Sequence, residues 1–322
     1  MKLAPWLDET WRSLSERLQH GRLPHALMLS GAGGLGKRAL ADALVAAALC
    51  ESRGGDGYAC TRCRSCLLMA AGSHPDRVHL SFEMRDDGKT PRTEIVIEQI
   101  RNLSQRLSLS SQFGGMQMAI IDPADRMNPS AANALLKTLE EPSGSTMLVL
   151  VSDQPSRLPA TIRSRCQRIQ INPPGHAQAV EWLRGQGIAN ADAERALTAM
   201  LGNPGRARDA LADDTLSLRS ECLRDLQALS GHRARALTVA EAWAADRPDQ
   251  RLWHAAVLVR EDAIQLAQGS RGTLGLTGPA EIPKLAAWFA AANRSRELLA
   301  TQVRSDLVVL DLLHTWQTPR SS

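Results

Sequence analysis

Through the first half of the chain, short apolar runs bounded by Gly, Pro or polar turn residues alternate with stretches of helical spacing. The clearest runs are His25–Ser30, Met118–Asp122, Thr146–Ser152 and Arg168–Ile171, and each reads as a strand. Helical spacing fills the gaps. One helix follows a glycine-rich segment through Ala39, Ala43, Ala47 and Leu49, and another spans Ile97–Leu107. A third follows the capping signal Asn128-Pro129-Ser130 and reaches Glu141-Pro142, where the proline stops it. This alternation predicts an α/β core, a parallel sheet covered by helices.

Beyond Ile171 the pattern changes. Asn172-Pro173-Pro174-Gly175 reads as a linker, because consecutive prolines remove backbone donors and helical freedom. Helical periodicity then takes over, at His176–Gln186, Ala191–Leu201 and Asp213–Leu229, with a small helical unit ending near Gly202-Asn203-Pro204-Gly205. Further helices are expected at Arg233–Ala245, Gln250–Ala267, Glu281–Ala292 and Ser295–Trp316, an all-helical C-terminal region. In the last of these, Leu298, Leu299, Val303, Leu307, Leu310 and Leu313 form an apolar stripe.

Composition narrows the class. With 322 residues, 43% hydrophobic and 22% charged, the chain is neither disordered nor fibrous and is long enough for two or three domains. A formal charge of +4, from 38 basic and 34 acidic residues, is too balanced to announce a nucleic-acid binder. The longest apolar runs, Ala43–Cys50 and Leu285–Ala292, fall short of the roughly 18–20 residues of a membrane helix. The first residues lack the apolar core of a secretory signal, so a cytoplasmic address is expected.

Two motifs carry chemistry. Gly31-Ala32-Gly33-Gly34-Leu35-Gly36-Lys37-Arg38 follows a strand and opens a helix, matching G-x-x-x-x-G-K. Backbone N–H groups between Gly31 and Gly36 can curl around phosphates, and Lys37 can meet the outer oxygens. The next position should carry a hydroxyl that ligates Mg²⁺, but Arg38 is a cation with no lone pair to offer. Asp122 supplies the acidic strand end of such a site. Pro123 stands where a water-activating glutamate is needed, and Asp125 is the nearest other acid. Nucleotide binding therefore stays open, against the alternative of a glycine-rich turn with no nucleotide.

Cys50, Cys60, Cys63 and Cys66 form C-x9-C-x2-C-x2-C, a spacing that converges thiolates on a tetrahedral zinc with no open position. An iron–sulfur cluster and free buried thiols are the alternatives. The intervening Gly-rich loop is too polar to order itself by packing, which suits a structural clip. The module has Arg53, Arg62 and Arg64 but lacks a base-reading helix. Cys166 and Cys222 lie elsewhere and read as small core residues.

The run Asn133-Ala134-Leu135-Leu136-Lys137-Thr138-Leu139-Glu140-Glu141-Pro142, followed by Leu158-Pro159-Ala160-Thr161-Ile162-Arg163-Ser164-Arg165-Cys166, resembles the bacterial DNA polymerase III clamp loader subunits. The phosphate loop and cysteine module fall in that family's order. The resemblance implies an AAA+ P-loop core at residues 1–172 with the four-cysteine module inserted at 50–66. A small helical lid would occupy 173–210 and an all-α collar 211–322. Motor subunits of the family keep the hydroxyl and the glutamate that Arg38 and Pro123 replace here. The departure resembles the member that completes the ring without firing ATP itself. A gamma/tau-type motor subunit is the alternative, as is a zinc-dependent nucleic-acid-binding protein on a dead ATPase fold.

The resemblance further implies that Arg165 reaches the ATP of a neighbouring subunit as an arginine finger, with Arg163 as its control. A surface ion pair is the plainer reading of Arg165. Ser152 corresponds by position to a polar sensor, and Arg206 or Arg208 to a lid arginine, neither assigned. Implied partners are the gamma/tau and delta subunits in a hetero-oligomeric ring. Primed DNA and the sliding clamp are reached through the complex, and no membrane is involved.

Overall fold

The computed structural model describes residues 2–84, 92–113, 115–142, 145–275, 279–299, 301 and 303–317. It divides into two compact units, the first comprising residues 1–187 and 202–206, the second 188–201 and 207–322.

In the first unit the elements run α1 (Asp8–Gln19), β1 (Ala26–Ser30), α2 (Lys37–Leu49), α3 (Arg64–Ala70), β2 (Arg77–Leu80), α4 (Ile97–Leu107) and β3 (Gln117–Ile121). There follow α5 (Pro129–Glu140), β4 (Thr146–Ser152), α6 (Ala160–Arg163), β5 (Gln167–Gln170) and α7 (His176–Gly185). The strands form one parallel sheet in the order β2-β3-β4-β1-β5. β1, β3 and β4 are buried along their whole length, as strands covered by helices on both faces must be. Their side chains alternate between two cores. Leu27, Leu29, Ile120 and Val149 meet Trp11, Leu14, Leu40 and Leu44 on one side. Met28, Ile121, Leu148 and Leu150 meet Ile100, Leu103, Leu135 and Leu139 on the other.

The expected strands agree with the observed ones to within a residue at each end. The edge strand β2 is not announced by an apolar run, since Arg77-Val78-His79-Leu80 alternates and only Leu80 is buried. α5 starts as its capping signal predicts: the Asn128 side chain accepts from Ala131 N at 2.9 Å, and Pro129 occupies the first turn. Pro142 restricts Glu141 to a non-helical conformation and ends it.

In the second unit lie α8 (Asn190–Ala199), most of α9 (Pro204–Ala212), α10 (Thr215–Ser230), α11 (Ala236–Ala245), α12 (Pro248–Ala267), α13 (Ile282–Leu299) and α14 (Ser305–Gln317). Asn203-Pro204 opens α9 rather than closing a helical unit. Asn203 Oδ1 accepts from Arg206 N at 3.1 Å, so the same residues that read as a terminator work as an N-cap and first-turn proline.

The single helix expected at Ser295–Trp316 is two. α13 runs to Leu299 and α14 begins at Ser305; residues 300 and 302 lie outside the described residues. Thr301 turns the chain, its N–H and hydroxyl both donating to Leu298 O. The reversal brings Trp288 Nε1 to Leu312 O at 3.2 Å and stacks Trp288 edge-on against Trp316. The stripe read across this segment divides accordingly. Leu313 is fully buried, whereas Leu298, Val303 and Leu307 are about half exposed around the turn.

The helical core is built on Leu226, Trp243, Leu252, Val259, Leu285 and Trp316. Its indole N–H groups are satisfied, Trp243 by Asp225 at 2.8 Å and Trp316 by Leu226 O at 3.2 Å, as buried indoles require. Cys222 and, in the first unit, Cys166 are the buried core residues the sequence predicts. No helix among the described residues is long and apolar enough to cross a membrane.

His254 on α12 is fully buried, and among the described residues neither ring nitrogen has a well-formed hydrogen bond. Burial first, and the nearby Arg219 guanidinium second, lower its pKa from 6.5 to about 4. The unfolded chain therefore binds a proton that the folded chain refuses between those values. Stability is expected to be full above pH 6.5 and to fall by on the order of 3 kcal/mol as pH drops to about 4, flattening below. Urea unfolding of the full chain across pH, followed by tryptophan fluorescence and by far-UV circular dichroism, checks this, and His254→Gln should remove that part of the acid slope.

Candidate functional site

The phosphate loop sits between β1 and α2, where a buried strand must turn sharply into a helix. Gly36 caps α2 in the left-handed region at φ 86°, with Leu7 packed against it, so the loop needs glycine there. The loop is braced from two directions. Trp6 Nε1 donates to Leu35 O at 2.9 Å, and Asn203 Nδ2 donates to Gly33 O at 2.7 Å. Gly205 lies so close that a Cβ there would sit 1.9 Å from Gly34 O. Arg206 is the arginine beside the loop, its Nη2 lying 3.6 Å from where a Gly33 Cβ would stand. Arg208 is on the solvent-exposed part of α9 and pairs with Asp209 at 2.8 Å.

Lys37 is 3% exposed and fully engaged within the chain. Its ammonium donates to Gly31 O and Ala32 O, both at 2.7 Å, and pairs with Asp153 Oδ1 at 2.7 Å. Arg38 reaches back to Asp122, Nε to Oδ2 at 2.5 Å. The guanidinium thus stands against the very carboxylate that would serve a metal ion. Burial raises the pKa of Asp122, and the adjoining Arg38 charge opposes that shift. The other Asp122 oxygen and the Ser152 hydroxyl are buried without a hydrogen-bond partner.

Asp125, the nearest other acid, faces the end of β4. It is buried, and its Oδ1 accepts from Asp153 N at 3.0 Å, so it fixes the end of β4. The structure places Gly31, Gly36 and Lys37 on the loop and Asp122 just after β3 against Arg38; Asp153 and Asn203, which also meet the loop, carry no motif in the sequence. Asp153 follows the last residue of β4, a position at the sheet's C-terminal edge beside the loop, and that is the signal that could have found it.

The four cysteines converge. Cys50 Sγ lies 3.9 Å from Cys63 Sγ, and Cys60 Sγ 3.9 Å from Cys66 Sγ, with all four sulfurs within 4.8 Å of one another. A tetrahedral ion with bonds of about 2.3 Å spaces its ligands about 3.8 Å apart, so the set fits a zinc-sized cation. Backbone amides point at the sulfurs: Cys60 N to Cys50, Cys63 N to Cys60 and Cys66 N to Cys63, at 3.3, 3.3 and 3.4 Å. The amides of Arg62 and Cys63 lower the Cys60 thiol to about 6, whereas burial pushes Cys66 up to about 12. Four thiolates this close repel one another unless a cation sits among them.

Behind the cluster Ser65 donates to Leu49 O at 2.5 Å, and its Oγ contacts His74 Nε2 at 2.7 Å. His74 Nδ1 accepts from Asp76 N at 3.2 Å, which leaves Nε2 as the donor. Trp11 stacks on Tyr58 with centroids 4.2 Å apart, tying the module's loop to α1.

Arg165 lies beyond α6, with its side chain 37% exposed. Its Nη1 donates to Thr161 O at 3.0 Å and Nη2 pairs with Glu140 Oε1 at 2.7 Å. Arg163 is exposed at the end of the same short helix.

A five-stranded parallel sheet of this order, with a glycine-rich loop and lysine after β1 and an aspartate after β3, defines a P-loop core of the AAA+ type. A family model described as DNA polymerase III, delta subunit, matches residues 6–175. The DNA polymerase III subunit delta' of Pseudomonas aeruginosa is 39% identical over 74% of this chain and 70% of its own. That of Escherichia coli is 31% identical over 97% of this chain and 95% of its own. Among solved structures, a gamma subunit-related protein of Thermotoga maritima aligns over 95% of this chain and 98% of its own. Its TM-score of 0.41 and 15% identity are too remote to bear on function. The chain belongs to the DNA polymerase III delta-prime family, and the clamp loader resemblance of its motifs holds at that level.

Because Asp153 occupies the lysine that a phosphate would need, the full chain is expected to bind Mg·ATP weakly, in the millimolar range or above. Asp153→Asn removes a competing carboxylate of the same sign as the ligand, and should tighten binding by roughly tenfold at low salt. Isothermal titration with ATP and ADP checks both statements.

Proposed function

We propose that this chain is the non-hydrolysing subunit of a DNA polymerase III clamp loader, a stator that completes the ring and helps load the sliding clamp on primed DNA. The observation that carries the reading is the Arg38–Asp122 pair at 2.5 Å. Metal-assisted hydrolysis needs a hydroxyl and a carboxylate converging on Mg²⁺, and a base for water. Here a guanidinium takes the place of the ion, Pro123 replaces the base, and Asp125 is committed to the Asp153 amide. A motor reading has no group left to fire with.

What the chain contributes to chemistry is then in trans. Arg165 would extend toward the ATP of a neighbouring gamma/tau subunit and stabilise charge developing on the transferred phosphoryl, a contribution of about 10³–10⁵ in well-studied cases. The gamma/tau and delta subunits are the ring neighbours in this reading. It also retains the three-part division into core at 1–172, lid at 173–210 and collar at 211–322, and a cytoplasmic location. In the reconstituted loader, Arg165→Ala should lower clamp- and DNA-stimulated ATPase by about tenfold or more. Lys37→Ala and Arg163→Ala should leave it near wild type. A loss confined to Lys37→Ala would instead assign this chain its own ATP turnover.

The metal of the cysteine cluster is proposed to be zinc, held by Cys50, Cys60, Cys63 and Cys66 in a structural role. The four-sulfur set leaves no position for substrate, and its bound cation would neutralise the thiolates and pin the 50–66 loop. Elemental analysis should find one zinc per chain. Cys63→Ser should lose it and lower the thermal midpoint by several degrees, with the purified protein becoming sensitive to a strong chelator. Iron with visible absorbance would point to a cluster instead.

A further inference from the structure

Two acidic residues, Glu140 and Glu141, end α5 at its C-terminus, where unsatisfied carbonyls disfavour negative charge. Nothing in the packing of α5 requires a carboxylate there. The core face is Ala131, Ala132, Leu135 and Leu139, and Glu140 points out with about half its side chain exposed. What Glu140 does meet is Arg165, at 2.7 Å. That contact is an ion pair, and Thr161 O takes a hydrogen bond from Nη1 of the same guanidinium at 3.0 Å. One N–H donor is thereby hydrogen-bonded and the Nη2 side is ion-paired within the chain, and among the described residues the other donors have no partner.

We infer that Glu140 is a positioning residue for Arg165, anchoring one edge of the guanidinium so that its free edge is presented already oriented. The inference rests on the finger reading of Arg165 given above. An arginine side chain has several rotatable bonds, and one that must be captured from many rotamers at each turnover loses rate to that search. A carboxylate and a carbonyl on two adjoining helix ends fix the plane of the fork before the neighbour arrives. An exposed ion pair of this kind adds little to folding stability, so its effect should be read in turnover rather than in melting.

The test uses the reconstituted loader, with Glu140→Gln and Glu140→Asp, Arg165→Ala, the Glu140→Gln/Arg165→Ala double variant, and Arg163→Ala as a control. Glu140→Gln should lower kcat of the clamp- and DNA-stimulated ATPase by about three- to tenfold, with KM for ATP changed less than twofold. Glu140→Asp should recover part of that loss. In the Arg165→Ala background the Glu140 substitution should add nothing. In the isolated full chain, ¹⁵N relaxation of the Arg165 side-chain Nε should show an ordered guanidinium that Glu140→Gln releases. This readout stays interpretable even if one variant assembles poorly.

An unchanged kcat for Glu140→Gln, beside a large loss for Arg165→Ala, keeps the finger and overturns the positioning role. A Glu140 effect that persists without Arg165 also overturns it. No effect of Arg165→Ala overturns the finger reading, and the positioning role falls with it.

Discussion

The first unit depends on how charge is balanced at the C-terminal end of its central strands. A P-loop fold gathers a lysine, an acidic strand end and a row of backbone N–H groups at one spot, normally because a nucleotide and a metal compensate them. In this chain the compensation is internal. Lys37 is closed by two loop carbonyls and Asp153, and Asp122 by Arg38. Hydrogen bonds to charged groups contribute roughly 1.5–3 kcal/mol each, whereas an unpaired buried charge costs several. Those pairs brace the loop from within, and Trp6, Asn203 and Gly205 pack directly on it.

That balance also explains the residues that depart from a working ATPase. Replacing a hydroxyl by Arg38 removes a metal ligand and simultaneously supplies the positive charge the metal would have brought to Asp122. In the stator reading proposed above, that exchange gives up a reaction cycle for a fixed structure. A subunit whose shape does not alternate with nucleotide state is suited to hold a ring in place while its neighbours change, and this physical step links the ion pairs to the stator reading. The two buried groups without partners, Asp122 Oδ1 and Ser152 Oγ, mark where the compensation is incomplete.

Much of this was legible in the sequence, for reasons that can be named. Strands β1, β3 and β4 announce themselves because both their faces are buried, leaving uninterrupted apolar runs. The cysteine spacing is equally direct, since two C-x2-C steps leave the sulfurs few ways to diverge. Edge strand β2 hid because it buries little. The turn between α13 and α14 hid because it carries neither Gly nor Pro in Thr301-Gln302-Val303-Arg304, and only tertiary packing of Trp288 on Leu312 and Trp316 demands it. Asn203-Pro204-Gly205 has the composition of a terminator and the geometry of an N-cap, a distinction made by the partner of the Asn203 side chain. Asp153 carries no motif of its own; only its place just after β4 points to it, since its role is set by Lys37, which lies far from it in sequence and close in space.

The two working features of the first unit are built oppositely, and the difference follows from what each must do. The cysteine module has too little apolar content to order itself; amides aimed at sulfur brace it, and the proposed zinc would complete the clip. The phosphate loop differs: charges of the kind that meet a nucleotide in a working P-loop are met here by two loop carbonyls, Asp153 and Arg38. Arg165 differs from both, being half exposed and tied only at one edge. A cation locked as Lys37 is could serve no neighbour, and a cation with no anchor would serve one slowly. On the finger reading, half-anchored exposure would let a group belong to one chain and act on another.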